Sequence, residues 1–180
     1  MRSNKRYTNT AFSHRPEPRD DLRTQEAPAE PIICAGCGAV YMHKRWNHSA
    51  TAHTRAAKAG QPIDMRICAG CQRQHSGVPH GFVHVDGTFV LSHRDDIVNL
   101  LKNETARAAE DNPLGRIIDW STDGHTADVL LSTTTEHLAI RLGRALEKAF
   151  DGRVLYGFSH ENKLAHVWWH RDAAQRGSPE

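Results

Sequence analysis

Two short cysteine pairs, Cys34-Ala-Gly-Cys37 and Cys68-Ala-Gly-Cys71, contain all four cysteines of this 180-residue chain and carry its most specific chemistry. Each pair follows an isoleucine and has glycine before its second cysteine, a small spacing that suits a tight turn whose backbone amides face thiolate sulfur. Zn²⁺ favours a tetrahedron of soft ligands, so Cys34, Cys37, Cys68 and Cys71 form the expected ligand set. Four thiolates close that shell. An ion held in this way has no position for water or substrate, and its expected role is structural. One alternative is a thioredoxin-like redox pair, which requires a knuckle at the start of a helix after a strand. Another is mixed ligation with His43, His48, His53, His75 or His80. The first three of these are five residues apart and do not share a helical face, so the all-cysteine set is preferred.

Composition narrows what such a site can serve. The mean hydropathy of −0.62 and the absence of any run of about 18 apolar residues argue against a membrane-spanning helix. The N-terminus has charge but no apolar stretch before a cleavage site, so a cytoplasmic protein is expected. In a reducing compartment paired cysteines point to metal rather than disulfides. The overall charge of +2 is unevenly spread. Residues 32–81 hold six cations, Lys44, Arg45, Arg55, Lys58, Arg66 and Arg73, against the single acid Asp64, a local excess that suits a polyanion partner.

Around the knuckles these cations interleave with rings and amides. Tyr41, His43, Lys44, Arg45 and Trp46 follow the first pair, and Gln72, Arg73, Gln74 and His75 follow the second. Phosphate contacts combined with base stacking use such a mixture, which makes Lys44, Arg45, Trp46, Arg73, Gln74 and His75 the candidate RNA contacts. Taken singly, Tyr41 and Trp46 read as packing on the metal site. No G-x-S-x-G elbow, Walker loop or H-E-x-x-H helix occurs, so the expected protein is not an enzyme, with a metalloenzyme or redox protein as the weaker alternative.

Four parts must position these residues. Residues 1–31, with four prolines and few apolar anchors, read as a mobile tail. Residues 32–85 read as a zinc-ribbon-like module, in which the 30 residues between Cys37 and Cys68 exceed the usual ribbon spacing of about 15–20 and imply a basic excursion from about Trp46 to Pro62. GFVHVDGTFVL alternates around Asp86-Gly87, a hairpin signal. Ser92-His-Arg-Asp95 fits a capping box opening a helix over 93–109, which Asn112-Pro113 ends, so 86–112 supplies a hairpin end and a connecting helix. Residues 113–172 read as an α+β domain: a hairpin turning at TDGH, a capping box at Thr133-Thr-Thr-Glu136, a helix with Leu138, Leu142, Ala145, Leu146, Ala149 and Phe150 on one stripe, Gly152 at its end, and a hairpin turning at HENK. Residues 173–180 form a second tail. In the last strand Ala165, Val167 and Trp169 face one side, and Leu164, His166, Trp168 and His170 face the other. One helix covers one face of four strands, so the second face meets the helix at 93–109, a protein partner or solvent, with the helix preferred and a partner surface next.

CAGCGAVYMHKRW, CAGCQRQHSGVPHGFV, NPLGRI and STTTEHLAIRLGRALEKAFDGRVLY together resemble the small prokaryotic relatives of the ribosomal large-subunit export adaptor named after nonsense-mediated decay. The resemblance spans residues 32–171, and its TTTEHLA-to-FDG block is the more distinctive part. It implies a zinc-binding N-terminal region, with Cys34, Cys37, Cys68 and Cys71 matching the family's ligands, and contact with ribosomal RNA or the large subunit. The chain lacks the further knuckles and domains of larger members, so an export role is not implied.

Overall fold

A computed structural model describes residues 30–58, 60, 62–122, 128–159 and 164–173. The chain is α+β, and the described residues form two sheets and four helices. The N-terminal sheet has the order β3-β2-β1-β4 and strands of three residues each: β1 (Ile32–Cys34), β2 (Val40–Met42), β3 (Arg45–Asn47) and β4 (Asp64–Arg66). β1 and β2 are antiparallel, as are β2 and β3, while β4 lies parallel to β1. The basic excursion is largely helix α1 (Ala50–Lys58), an alanine-rich segment of high helical propensity. Ser49 accepts from the Ala52 amide at 3.1 Å, and buried Ala52 and Ala56, one turn apart, pack on Val40, Ile33 and Met42. Helix α2 (Ala69–Ser76) follows β4.

The second sheet has five strands in the order β6-β7-β5-β9-β8: β5 (Gly81–Asp86), β6 (Ile117–Thr122), β7 (Val129–Thr133), β8 (Arg153–Ser159) and β9 (Leu164–His170). Both hairpins expected in 113–172 form, as β6–β7 and β8–β9, although their turns at TDGH and HENK fall almost wholly outside the described residues, as do the tails except residues 30, 31 and 173. The stretch assigned to the end of the zinc module supplies the central strand of this sheet instead. β5 runs antiparallel to β7 and parallel to β9, with Val83 and Val85 fully buried. The small N-terminal sheet offers no core large enough for those side chains.

The hairpin expected at Asp86-Gly87 does not form, because β7 and β9 already occupy both edges of β5. Gly87 takes φ 106° and leads into helix α3 (Thr88–Asp111), whose first turn is held from beyond β9. The Thr88 amide donates to Asp172 and the Phe89 amide to the Arg171 carbonyl, both at 3.1 Å. A β-carbon on Gly87 would lie 2.2 Å from that same carbonyl oxygen. The helix therefore starts earlier than the expected 93. Ser92 does not cap it; its hydroxyl donates to the Phe89 carbonyl inside a turn already formed, and the chain kinks at His93 (φ −125°, ψ 20°). Asn112 ends the helix as expected.

Helix α4 (Glu136–Phe150) is capped by Thr135, whose hydroxyl accepts from Leu138, and not by Thr133. Thr133 is the last residue of β7, where its hydroxyl donates to the Gly81 and Thr135 carbonyls. The buried stripe of α4 is Leu138, Ala139, Leu142, Gly143 and Leu146, with Ala149 exposed. Gly143 belongs there because a β-carbon would approach Val167 to 2.4 Å, so the helix rides directly on β9. Gly152 adopts the expected positive φ, 91°.

α3 and α4 lie on the same side of the sheet. Phe89, Val90, Ile97 and Leu101 of α3 join Leu142 and Leu146 of α4 in one core over Val83, Val129, Leu131, Val167 and Trp169. Arg141 ties the two helices through Glu104 and Asp111, at 2.6 and 2.7 Å. α3 thus joins α4 over the first face and does not cover the second. The parallel register of β5 and β9 sets Phe82 beside His166 and His84 beside Trp168 on that face. His84, His166 and Trp168 stack within 17° of parallel, their centroids 5.4–5.8 Å apart. Among the described residues no helix is long and apolar enough to cross a membrane.

Two predictions follow from this packing. Gly143→Ala is expected to lower stability by about 1–3 kcal/mol, the usual cost of overpacking, in denaturant unfolding; an unchanged midpoint would mean that α4 shifts freely on β9. The second concerns His166, whose pKa burial, and then the neighbouring His84, press down to about 4. An unfolded histidine titrates near 6.5, so between those values the unfolded chain binds more protons, and stability should fall as pH drops from about 6.5 to about 4. Replacing His166 with Gln should flatten that part of the stability–pH curve, and an identical slope in the variant would contradict the assignment.

Candidate metal centre

The first cysteine pair sits on a turn closed by backbone bonds. Gly38 donates to the Cys34 carbonyl at 2.8 Å and Cys34 donates to the Ala39 carbonyl at 2.7 Å. Parallel pairing places Cys34 opposite Arg66, and the Ala35 amide reaches the Arg66 carbonyl at 3.1 Å. That register delivers the second pair to the first. Cys68 is then the N-cap of α2, its sulfur accepting from the Cys71 amide at 3.4 Å, while its own amide donates to Cys34 Sγ at 3.2 Å.

All four sulfurs lie within 4.8 Å of one another and form the only cluster of three or more metal-binding groups found among the described residues. Cys34 to Cys71 and Cys37 to Cys68 are each 3.8 Å apart. That separation is far beyond a disulfide bond and equals the edge of a tetrahedron with metal–sulfur bonds of about 2.3 Å, roughly 3.8 Å. The four cysteines are therefore arranged to hold a metal ion. Cys34 and Cys68 are buried and Cys37 and Cys71 partly so, with Ala39, Trp46 and Leu114 packed around them.

The thiols are unequal. Burial pushes Cys34 up, but amide bonds from Cys68, Cys37 and Gly36 outweigh it and bring the pKa down to about 6. Burial raises Cys68, and the nearby Cys37 and Cys34 raise it further. Burial lifts Cys71 to about 11, with Arg116 pulling the other way. Four ionised sulfurs at this spacing repel one another, and a bound cation is what would let all of them ionise together. The redox alternative meets its positional requirement, since Cys68 opens α2 directly after β4. Its chemistry is opposed: Cys68 is raised rather than lowered, and the 3.8 Å sulfur contacts join cysteines of different pairs.

Gly36 and Gly70 do not serve a left-handed turn. Close approach requires Gly70, where a β-carbon would lie 2.8 Å from the Leu114 backbone, while one on Gly36 would make a tight 3.1 Å contact with Cys71 Sγ.

The candidate RNA contacts separate into two groups. Lys44 and Arg45 are exposed at the β2–β3 turn. Trp46 packs on the cysteine cluster and against Tyr41, with ring centroids 5.2 Å apart, which is the packing role expected of each aromatic alone. Arg73 and Gln74 reach across to the second sheet, where Arg73 Nη1 donates to the Thr134 carbonyl at 3.5 Å and Gln74 to the Ile117 carbonyl at 3.0 Å. Both therefore bond across to the second sheet, and Gln74 remains exposed. His75 is exposed.

Three contributors were not apparent in the sequence. Arg116, far from the cysteines in the chain, acts electrostatically on both Cys71 and His48. Leu114 supplies the wall against Gly70. Glu30, assigned to the tail, accepts from the His43 and Lys44 amides at 2.6 and 2.7 Å and so holds two non-glycine residues at φ 55° and 59° in the β2–β3 turn. Searches against protein-family profiles, curated proteins and solved structures found no match to the chain.

Cys34→Ser and Cys71→Ser are each expected to lose the bound metal, by elemental analysis, and to lose hydrogen-exchange protection through β1–β4, because metal binding supplies much of the folding free energy of a module with such short strands. Retained metal with an unchanged exchange pattern would remove the substituted cysteine from the ligand set.

Proposed function

We propose that the protein is a non-enzymatic zinc-binding protein that binds RNA, with the ribosome as the host of that RNA. Zinc is the ion that best suits four thiolates at tetrahedral spacing, and the closed shell makes it structural. The observation that carries the RNA reading is the charge left exposed on the module. Asp64, its single acid after residue 31, is paired with Arg66 at 3.0 Å, while Lys44, Arg45, Arg55 and Lys58 are exposed along the hairpin and α1. Glu30 is engaged at the turn by two amides. The contact set supported by this arrangement is Lys44, Arg45, Arg55, Lys58 and His75, with Trp46, Arg73 and Gln74 keeping the surface in place. The ribosome rests on the sequence resemblance alone.

A second reading is favoured by the stacked rings of His84, His166 and Trp168, with Phe82 beside them, on the sheet face opposite α3 and α4. In that reading the metal module is a scaffold and the face binds a protein.

Filter binding and ribosome cosedimentation across a salt series test the first reading. Affinity should be greatest at low salt and fall steeply as salt rises, since phosphate-driven binding releases counterions. Zinc-loaded protein that neither binds RNA nor pellets with subunits at low salt would defeat it. A complex that survives nuclease and is weakened by Trp168→Ser at unchanged zinc content would favour the second.

A further inference from the structure

We infer that the groove between the β2–β3 hairpin and the first turns of α1 is a phosphate site, and that it takes a phosphodiester of the bound RNA. This rests on the RNA reading above and names the place where the strand is gripped. The groove has a volume of about 220 Å³ and is lined by His43, Arg45, Asn47, Ser49, Thr51 and Arg55, together with two apolar residues. Among the described residues no carboxylate lines it. Its two guanidinium groups come from different elements, Arg45 from β3 and Arg55 from α1, so one oxyanion between them could accept from both walls.

The walls are fixed independently of any ligand. Asn47 donates to the Arg45 carbonyl at 3.1 Å. Ser49 caps the helix start, and packing of Ala52 and Ala56 on Val40 sets the distance between α1 and the hairpin. The Glu30 carboxylate pins the His43 and Lys44 amides from outside the groove. Among the described residues neither Arg45 nor Arg55 has an ion-pair partner. Guanidinium groups present several donors in a planar fork, which matches the non-bridging oxygens of a phosphate better than a single ammonium does. Serine, threonine and asparagine at the rim add neutral polar groups of the kind that contact phosphate and sugar. Of these residues only Arg45 stood out in the sequence as an RNA contact. Arg55, Asn47, Ser49 and Thr51 are brought to it by the fold.

The test uses the full zinc-loaded chain with two probes, inorganic phosphate followed by NMR at the arginine Nε–H groups, and a short single-stranded uridine oligomer followed by fluorescence anisotropy over a salt series. Arg45→Gln and Arg55→Gln should each weaken the oligomer about tenfold at low salt and reduce the salt slope by about one. Lys102→Gln, an exposed cation on α3 outside the metal module, should leave affinity unchanged. Arg55→Lys should keep the slope and still bind more weakly, because the charge remains and the fork is lost. Both arginines are exposed, so zinc content should be unchanged in every variant. If the oligomer binds but the two groove variants behave like Lys102→Gln, the groove is not the site and the RNA reading stands. If phosphate shifts the Arg45 and Arg55 signals but the oligomer does not bind, the anion site stands and the RNA reading falls. No shift with phosphate and no effect of either substitution would overturn the inference outright.

Discussion

Four sulfur atoms within 4.8 Å of one another repel as thiolates, and the N-terminal half of the chain is organised around making that proximity tolerable. Strands of three residues and two alanines on α1 bury too little apolar surface to impose it by themselves. The parallel register of β1 with β4 supplies the geometry, the amides of Cys68 and Cys71 supply hydrogen bonds to sulfur, and a bound cation would supply the remaining charge. Everything else on the module is referred to this point: the hairpin carrying Lys44 and Arg45 leaves from the first knuckle, and α2 starts on the second.

The metal module is also joined to the larger sheet. Gly70 abuts the Leu114 backbone, Arg73 and Gln74 reach the Thr134 and Ile117 carbonyls, and Arg116 sets a positive charge beside Cys71. The segment between α3 and β6 therefore serves both halves. Thr134 reinforces it by donating to the Leu114 carbonyl at 2.6 Å while receiving the Arg116 amide at 2.8 Å. A side chain that changed the shape of this segment would be felt at the cysteines and at the edge of the second sheet together.

Inserting β5 between the two hairpins gives the larger sheet its central strand and decides which face is buried. Because α3 follows β5 directly and α4 follows β7, both helices come to the same side and interlock through Arg141. The consequence is the row of rings on the opposite side, whose histidines are disfavoured as cations by their own burial.

The sequence by itself determined what depends on neighbours along the chain. The four ligands, the two hairpins of the last third, the strand alternation that buries Val167 and Trp169, and the glycine after α4 could all be read from spacing, periodicity and turn chemistry. Local signals failed where the decision was made by partners far away. Asp86-Gly87 looks like a hairpin turn until β7 and β9 occupy both edges of β5, and Thr133 looks like a helix cap until it is seen to complete a strand. Only the tertiary structure could bring Arg55 to Arg45, Arg116 to Cys71 and His84 to Trp168, because sequence periodicity reports which way a side chain points and carries no information about which distant element will meet it.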